Sequence, residues 1–83
     1  MKNHEGVWLP DYDTHFAKYA KNGSYQAGVY QFAMRHVVSR HCAIDVGAHV
    51  GYWSRMMAGD FEVVHAFEPH QDNYACLEAN VPP

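Results

Sequence analysis

At 83 residues and 9.5 kDa the chain holds one domain or less, and a chain this short buries only roughly 60–65% of its extended surface, so its stability is expected to be marginal. Its 48% hydrophobic and 18% charged content is a globular balance and excludes a disordered chain. A formal net charge of −3 gives no attraction to nucleic acid or an anionic membrane, no apolar run approaches the ~20 residues of a bilayer span, and Met1–Gly6 lacks the apolar centre of a signal peptide, so a cytoplasmic protein is expected.

Residues 1–13 read as an irregular lead-in, with Gly6-Val7-Trp8-Leu9-Pro10 as an apolar anchor. Asp13 or Thr14 is placed to cap a short helix over Thr14–Lys21, which Asn22-Gly23 ends because both residues tolerate positive φ. Ser24 then caps a longer helix to about Ser39, in which Val29, Phe32, Ala33 and Val37 form one buried stripe. Residues 1–40 thus form a helical prefix to the remainder of the chain.

The run Cys42-Ala43-Ile44-Asp45-Val46 suits a parallel strand covered on both faces. The loop Gly47-Ala48-His49 leads to a helix from about Val50 to Ala58, stopped by Gly59, with Val50, Trp53 and Met57 on its inner side. Glu62–Phe67 is a second strand, ending at Glu68-Pro69. A last helix covers Gln71–Ala79 with Tyr74 and Leu77 facing inward, and Val81-Pro82-Pro83 forms an extended tail. The order β-α-β-α makes residues 41–83 an α/β unit with a right-handed parallel crossover.

The chemistry concentrates in Asp45-Val46-Gly47-Ala48-His49-Val50-Gly51, between strand and helix. Two glycines allow a sharp turn and close approach of a ligand to the backbone. His49 sits where positive φ is needed, and His is enriched there among non-glycine residues. The helix N-terminus offers unpaired amides and a partial positive charge, suited to a ligand carboxylate. Glu68 lies at the end of the next strand, roughly 20 residues beyond the turn, where an acid accepts hydrogen bonds from both ribose hydroxyls. Pro69 fixes the strand exit and helps to aim that carboxylate. Turn and acid would grip opposite ends of one nucleoside.

The loop decides between nucleosides. A dinucleotide site wants G-x-G-x-x-G, and no register of that pattern fits around Gly47. The loop places Asp45 where that motif wants its first glycine. The acid repels a pyrophosphate but accepts bonds from an ammonium group, as S-adenosylmethionine would offer. A nicotinamide or flavin site is disfavoured on the same ground.

The segment Asp45–Gly51, then Ala66-Phe67-Glu68-Pro69, then Asn73 through Leu77 to Asn80, resembles the opening of FkbM-type methyltransferases. That family usually has Asn at the place of His49. The resemblance implies a partial Rossmann-like domain in which the Asp45–Gly51 loop, through Asp45, Gly47, Ala48, His49 and Gly51, holds the methionine portion of S-adenosylmethionine, and Glu68, with Pro69, holds its ribose. It also implies O-methyl transfer as the activity, with no methyl acceptor or catalytic residue assignable.

The remaining candidates read as structural. Tyr52 is left open because it lies on the first helical turn beside the presumed ligand. Tyr25 and His15 are expected to pack or face solvent, Trp53 and Met57 to be core, and His70 to be a solvated residue at a helix start. Cys42 and Cys76 are expected to be reduced and packed. Seven histidines invite a metal, yet no HExxH or CxxC occurs, so none is expected.

The complete sheet of that family has more strands than the two this sequence supplies. The expectation is an excerpt or truncated reading frame, or a strand edge covered by something else. The alternative function is a non-catalytic α/β module that oligomerises or docks a partner through that edge.

Overall fold

An antiparallel hairpin opens the chain. In the computed structural model, which describes residues 1–22 and 25–81, β1 (Lys2–His4) pairs with β2 (Val7–Leu9), Lys2 opposite Leu9 and His4 opposite Val7. The two-residue loop Glu5-Gly6 has positive φ at both positions, 50° and 94°. That backbone hand matches strand twist in a tight hairpin. The Asn3 side chain steadies it by accepting the Gly6 N–H at 2.9 Å. This hairpin stands in place of the expected irregular lead-in. Each strand is only three residues long, and the turn starts with Glu where Asn or Asp gives the stronger signal. The apolar anchor is present as expected, with Val7, Leu9 and Pro10 buried.

Helix α1 (Ala17–Asn22) starts later than expected. Asp13, not Thr14, provides its cap: its carboxylate accepts the N–H groups of Phe16 and Ala17 at 3.1 Å. The expected stop at Gly23 and cap at Ser24 lie outside the described residues. Helix α2 (Ala27–Met34) ends well before Ser39, tightening into i→i−3 bonds from Arg35, His36 and Val37. Its expected stripe is the wrong one. Val29 and Phe32 are 58% and 60% exposed, and Ala33 is exposed too. Tyr30 is buried instead, with Met34 one turn on packed against the same cluster. The phenol explains the choice, since its hydroxyl donates to Asp60 at 2.5 Å. Burial first, then the Asp60 bond and charge, pushes the Tyr30 hydroxyl up to about 12, against a small pull downward from Arg40.

The second part is a small α/β unit of β3 (Cys42–Val46), α3 (Tyr52–Asp60), β4 (Val63–Phe67) and α4 (Gln71–Asn80). β3 and β4 pair in parallel, with Cys42 opposite Val63 and Val46 opposite Phe67. The described residues form a mixed α/β arrangement of one hairpin, one parallel pair and four helices. Helix α3 runs through Gly59, and its end is the extended Phe61, whose N–H reaches back to the Met57 carbonyl.

The parallel pair is covered on one face only. Ala43 is buried in a cluster with Tyr30 and Met57, and Val64 packs against it. On the other face Ile44 is 66% exposed, Val46 80% and Phe67 56%; Cys42 is exposed there as well. Coverage on both faces, expected from the apolar run, is therefore absent among the described residues. The accessible area of 5538 Å² exceeds the roughly 5,000 Å² typical of a folded monomer of this mass.

Helix α4 turns Cys76 and Leu77 inward and leaves Tyr74, expected inside, 46% exposed. Its inner face meets the hairpin: Val7, Leu9, Ala20, Val50 and Cys76 form one buried cluster. Both cysteines are free thiols, and burial pushes the Cys76 thiol up, further helped by Asp72 and Asp11 and opposed by the chain's amino terminus. No helix among the described residues is long and apolar enough to cross a membrane.

One polar side chain locks the two parts together. Asn80, buried at the end of α4, accepts the Trp8 N–H at 2.6 Å and donates to the carbonyls of Trp8 at 2.8 Å and Val50 at 2.7 Å. Truncation leaves three backbone groups without partners, so Asn80→Ala is expected to cost about 2–4 kcal/mol. Urea denaturation checks this, with a lowered midpoint and an unchanged slope as the expected result.

Candidate functional site

The turn after β3 is built from three positive φ angles, 76° at Gly47, 57° at His49 and 100° at Gly51. His49 adopts the left-handed conformation expected of it. Gly51 has a second constraint. A Cβ there would lie 2.8 Å from Leu77 Cδ1 and 2.9 Å from Val81 Cγ2, so α4 packs directly on the start of α3. A Cβ at Gly47 would meet nothing within 4 Å, which leaves the backbone there open to close approach.

The end of β4 ties this turn down. The N–H groups of Gly47 and Ala48 both donate to the Phe67 carbonyl, at 2.9 and 3.0 Å. The next residue, Glu68, accepts the His49 N–H at 2.7 Å with one oxygen and the His70 N–H at 3.0 Å with the other. Partial burial opposes the charge on Glu68. The amides of His70 and His49, the His49 charge and the Asn73 side chain together outweigh that and hold the carboxyl below its ordinary value.

The amides of Gly47, Ala48, His49 and Gly51 are all engaged within the chain, the last with the Ala48 carbonyl at 2.9 Å. The expectation for a ligand carboxylate concerns the amides at the start of the following helix, not these four. The turn is stapled by its own neighbours.

A cavity of about 310 Å³ opens beside the turn, near the bottom of the roughly 300–1,000 Å³ usual for small-molecule sites. Asp45, Gly47, Ala48 and His49 line it. Gly51 is buried under α4 and Pro69 is exposed; neither is on the wall. Glu68 is not among the lining residues either and reaches the cavity through the His49 N–H. Asp45 is steadied from below, its Oδ2 accepting the hydroxyl of the fully buried Ser54 at 2.6 Å.

The rest of the wall is aromatic and comes partly from the prefix. Phe16, Tyr25 and Gln26 face Tyr52 and Trp53 of α3 across the cavity lining. The Tyr52 hydroxyl donates to the Phe16 carbonyl at 3.0 Å, and the Trp53 indole N–H donates to Gln26 Oε1 at 2.7 Å. Burial pushes the Tyr52 hydroxyl up, with Asp13 and Tyr25 adding to that and Arg55 opposing it. Tyr25 and Tyr52 line the cavity, and Trp53 does so while also packing against the Tyr30, Ala43 and Met57 cluster as expected. His15 is exposed and sits edge-on to Phe16. Phe16 and Gln26 had no signal in the sequence, because nothing local to them specifies that α1 and the turn before α2 fold over the β3–α3 loop. His70 is exposed, as expected, and its Nδ1 accepts the Asn73 N–H at the start of α4. Among the described residues no group of three or more His, Cys, Asp or Glu is placed to hold a metal ion.

The lowered Glu68 carboxyl carries a pH signature. A depressed folded value stabilises above the unfolded value of about 4.5 and is lost as pH falls through the folded one. Acid denaturation of the parent chain should therefore show a loss of stability below about pH 4.5 that is reduced in Glu68→Gln. Denaturant midpoints measured across that pH range, on both proteins, check the difference.

No family model matches this chain, and neither a curated protein nor a solved structure matches it.

Proposed function

We propose that the chain is the S-adenosylmethionine-binding portion of a methyltransferase, on the opening β-α-β-α of a Rossmann-like sheet, with O-methyl transfer as the reaction of the complete protein. The observation that carries this reading is the direct bond between Glu68 and the Asp45–Gly51 turn, at 2.7 Å. It brings the acid from the end of β4 and the glycine turn from the end of β3 to the same edge of the parallel pair. Ligands of open α/β sheets bind at that edge. The resemblance of both segments to FkbM-type methyltransferases agrees with it.

The chemistry of the wall also suits this ligand. Asp45 offers acceptor capacity to an ammonium group, and among the described residues neither lysine nor arginine lines the cavity. Each Glu68 oxygen has already taken one N–H but keeps a second lone pair for a ribose hydroxyl. The stapled amides make no provision for the methionine carboxylate, which this reading gives to the amides at the start of α3. When bound, S-adenosylmethionine supplies an electrophilic methyl group on a sulfonium. The chain's own contribution is to hold and orient that end.

A second reading rests on the bare face of the parallel pair. Ile44, Val46 and Phe67, all more than half exposed, are a patch of the kind that marks association. In that reading the chain is a non-catalytic module that oligomerises or docks a partner along β3.

Calorimetry with S-adenosylmethionine tests the first reading. Binding is expected, weakened about tenfold or more by Glu68→Ala, the worth of a hydrogen bond to a charged group. A folded protein that gives no heat, or a Glu68→Ala variant with unchanged affinity, overturns it. Sedimentation tests the second: a concentration-independent monomer counts against it, and a cofactor-free dimer dispersed by Val46→Lys supports it.

A further inference from the structure

The cavity beside the turn differs in character from the other hollows of the molecule. A neighbouring one of about 330 Å³ carries both Glu5 and Arg55 and is internally balanced. A third, of about 200 Å³, has acidic residues Asp11 and Asp72, but the chain's own amino terminus lies there and pairs with Asp11 at 3.1 Å. The cavity of Asp45 has a carboxylate with, among the described residues, no lysine or arginine on its wall, and the imidazole of His49 as its basic group. Among the described residues no salt bridge reaches Asp45. Its only bond there is from a neutral hydroxyl, that of Ser54.

Four aromatic rings share that wall, and all four remain half-buried. Phe16 and Tyr25 meet edge to face with centroids 5.3 Å apart, and Tyr25 lies tilted to Tyr52 at 5.1 Å. Two of them are pinned by hydrogen bonds, Tyr52 to the Phe16 carbonyl and Trp53 to Gln26. Phe16, Tyr25 and Tyr52 touch one another, and with Trp53 they line a cavity that Asp45 shares. Aromatic faces carry negative quadrupole potential, and with a carboxylate they favour a weakly hydrated cation over a neutral group of the same shape.

We infer that this cavity is a site for an organic onium ion, a sulfonium or quaternary ammonium group, held between the rings of Phe16, Tyr25, Tyr52 and Trp53 and the Asp45 carboxylate. As a preference for a charged cofactor it rests on the function proposed above, and it then predicts discrimination between S-adenosylmethionine and its neutral product. As an onium site it stands without that reading. The prefix acquires a role in both cases, because Phe16 and Tyr25 bring half of the aromatic wall.

NMR titration and calorimetry at pH 8 test it on the full chain with two pairs of probes. Choline is compared with 3,3-dimethylbutan-1-ol, its neutral isostere, and S-adenosylmethionine with S-adenosylhomocysteine. The charged member of each pair is expected to bind about tenfold more tightly, the scale of one or two desolvated ring contacts. Tyr25→Leu and Asp45→Asn should remove most of that preference, while Tyr25→Phe, which keeps the ring, retains it. Amide spectra of each variant establish that it is folded.

If choline binds no better than its isostere, or if Tyr25→Leu leaves the difference unchanged, the onium site is overturned. S-adenosylmethionine binding equal to that of its product would then leave the cofactor reading standing alone. Choline bound selectively with no binding of either adenosyl compound supports the onium site and overturns the cofactor reading.

Discussion

The carboxylate of Glu68 is the constraint on which the local architecture depends. It sits one residue past the end of β4 and takes two backbone N–H groups, from His49 in the turn and His70 at the cap of α4. One side chain thereby fixes the glycine turn, the strand exit and the entry to the next helix. The Phe67 carbonyl reinforces it by holding Gly47 and Ala48. A carboxylate bonded by amides is cheap to keep charged, which is why a half-buried acid can serve as a structural tie. The same arrangement consumes the donors that a glycine turn would otherwise present to a ligand. The turn sets Asp45 beside the rings of Tyr52 and Trp53.

Much of the α/β part was legible in the residues. Cys42–Val46 is strand from end to end, the second strand is one residue shorter than expected, and α4 ends at Asn80, one residue later. Apolar runs bounded by glycine, proline and charge fix such elements locally. The positions of Asp45, Gly47, Ala48 and His49 around one cavity are legible too, because neighbours in a tight turn stay neighbours in space. What local pattern does not fix is which face meets which partner. The α2 stripe read from Val29, Phe32 and Ala33 is as regular as the one actually buried. Tyr30 won because Asp60 lies within reach of its hydroxyl, a fact that belongs to the tertiary structure.

The prefix was the least legible region for the same reason. Strands of three residues fall below the length at which alternation can be recognised, and Glu5 is an uncommon occupant of a left-handed turn position. The contribution of Phe16, Tyr25 and Gln26 to the cavity is a product of long-range packing. The cap of Asp13, which acts on residues three and four positions ahead, and the apolar anchor with Val7, Leu9 and Pro10 buried are the features of the prefix that sequence alone could identify. A further split separates the two faces of the parallel pair. The apolar run of β3 implies cover on both sides, yet Ile44 and Val46 remain in solvent while Ala43 is buried.

The Asn80 clamp has a kinetic consequence. Its bonds to Trp8 join positions 72 apart in the chain, so the hairpin, though local in its own pairing, gains its full anchorage only when α4 arrives. During synthesis the opening ten residues leave the ribosome long before their partner does. Two strands of three residues are too short to persist unaided in water. The parallel pair joins positions nearer in the chain than this clamp does, so the clamp closes the longer loop. Non-local closure of this kind slows folding and leaves Val7 and Leu9 available to chaperones until it is complete.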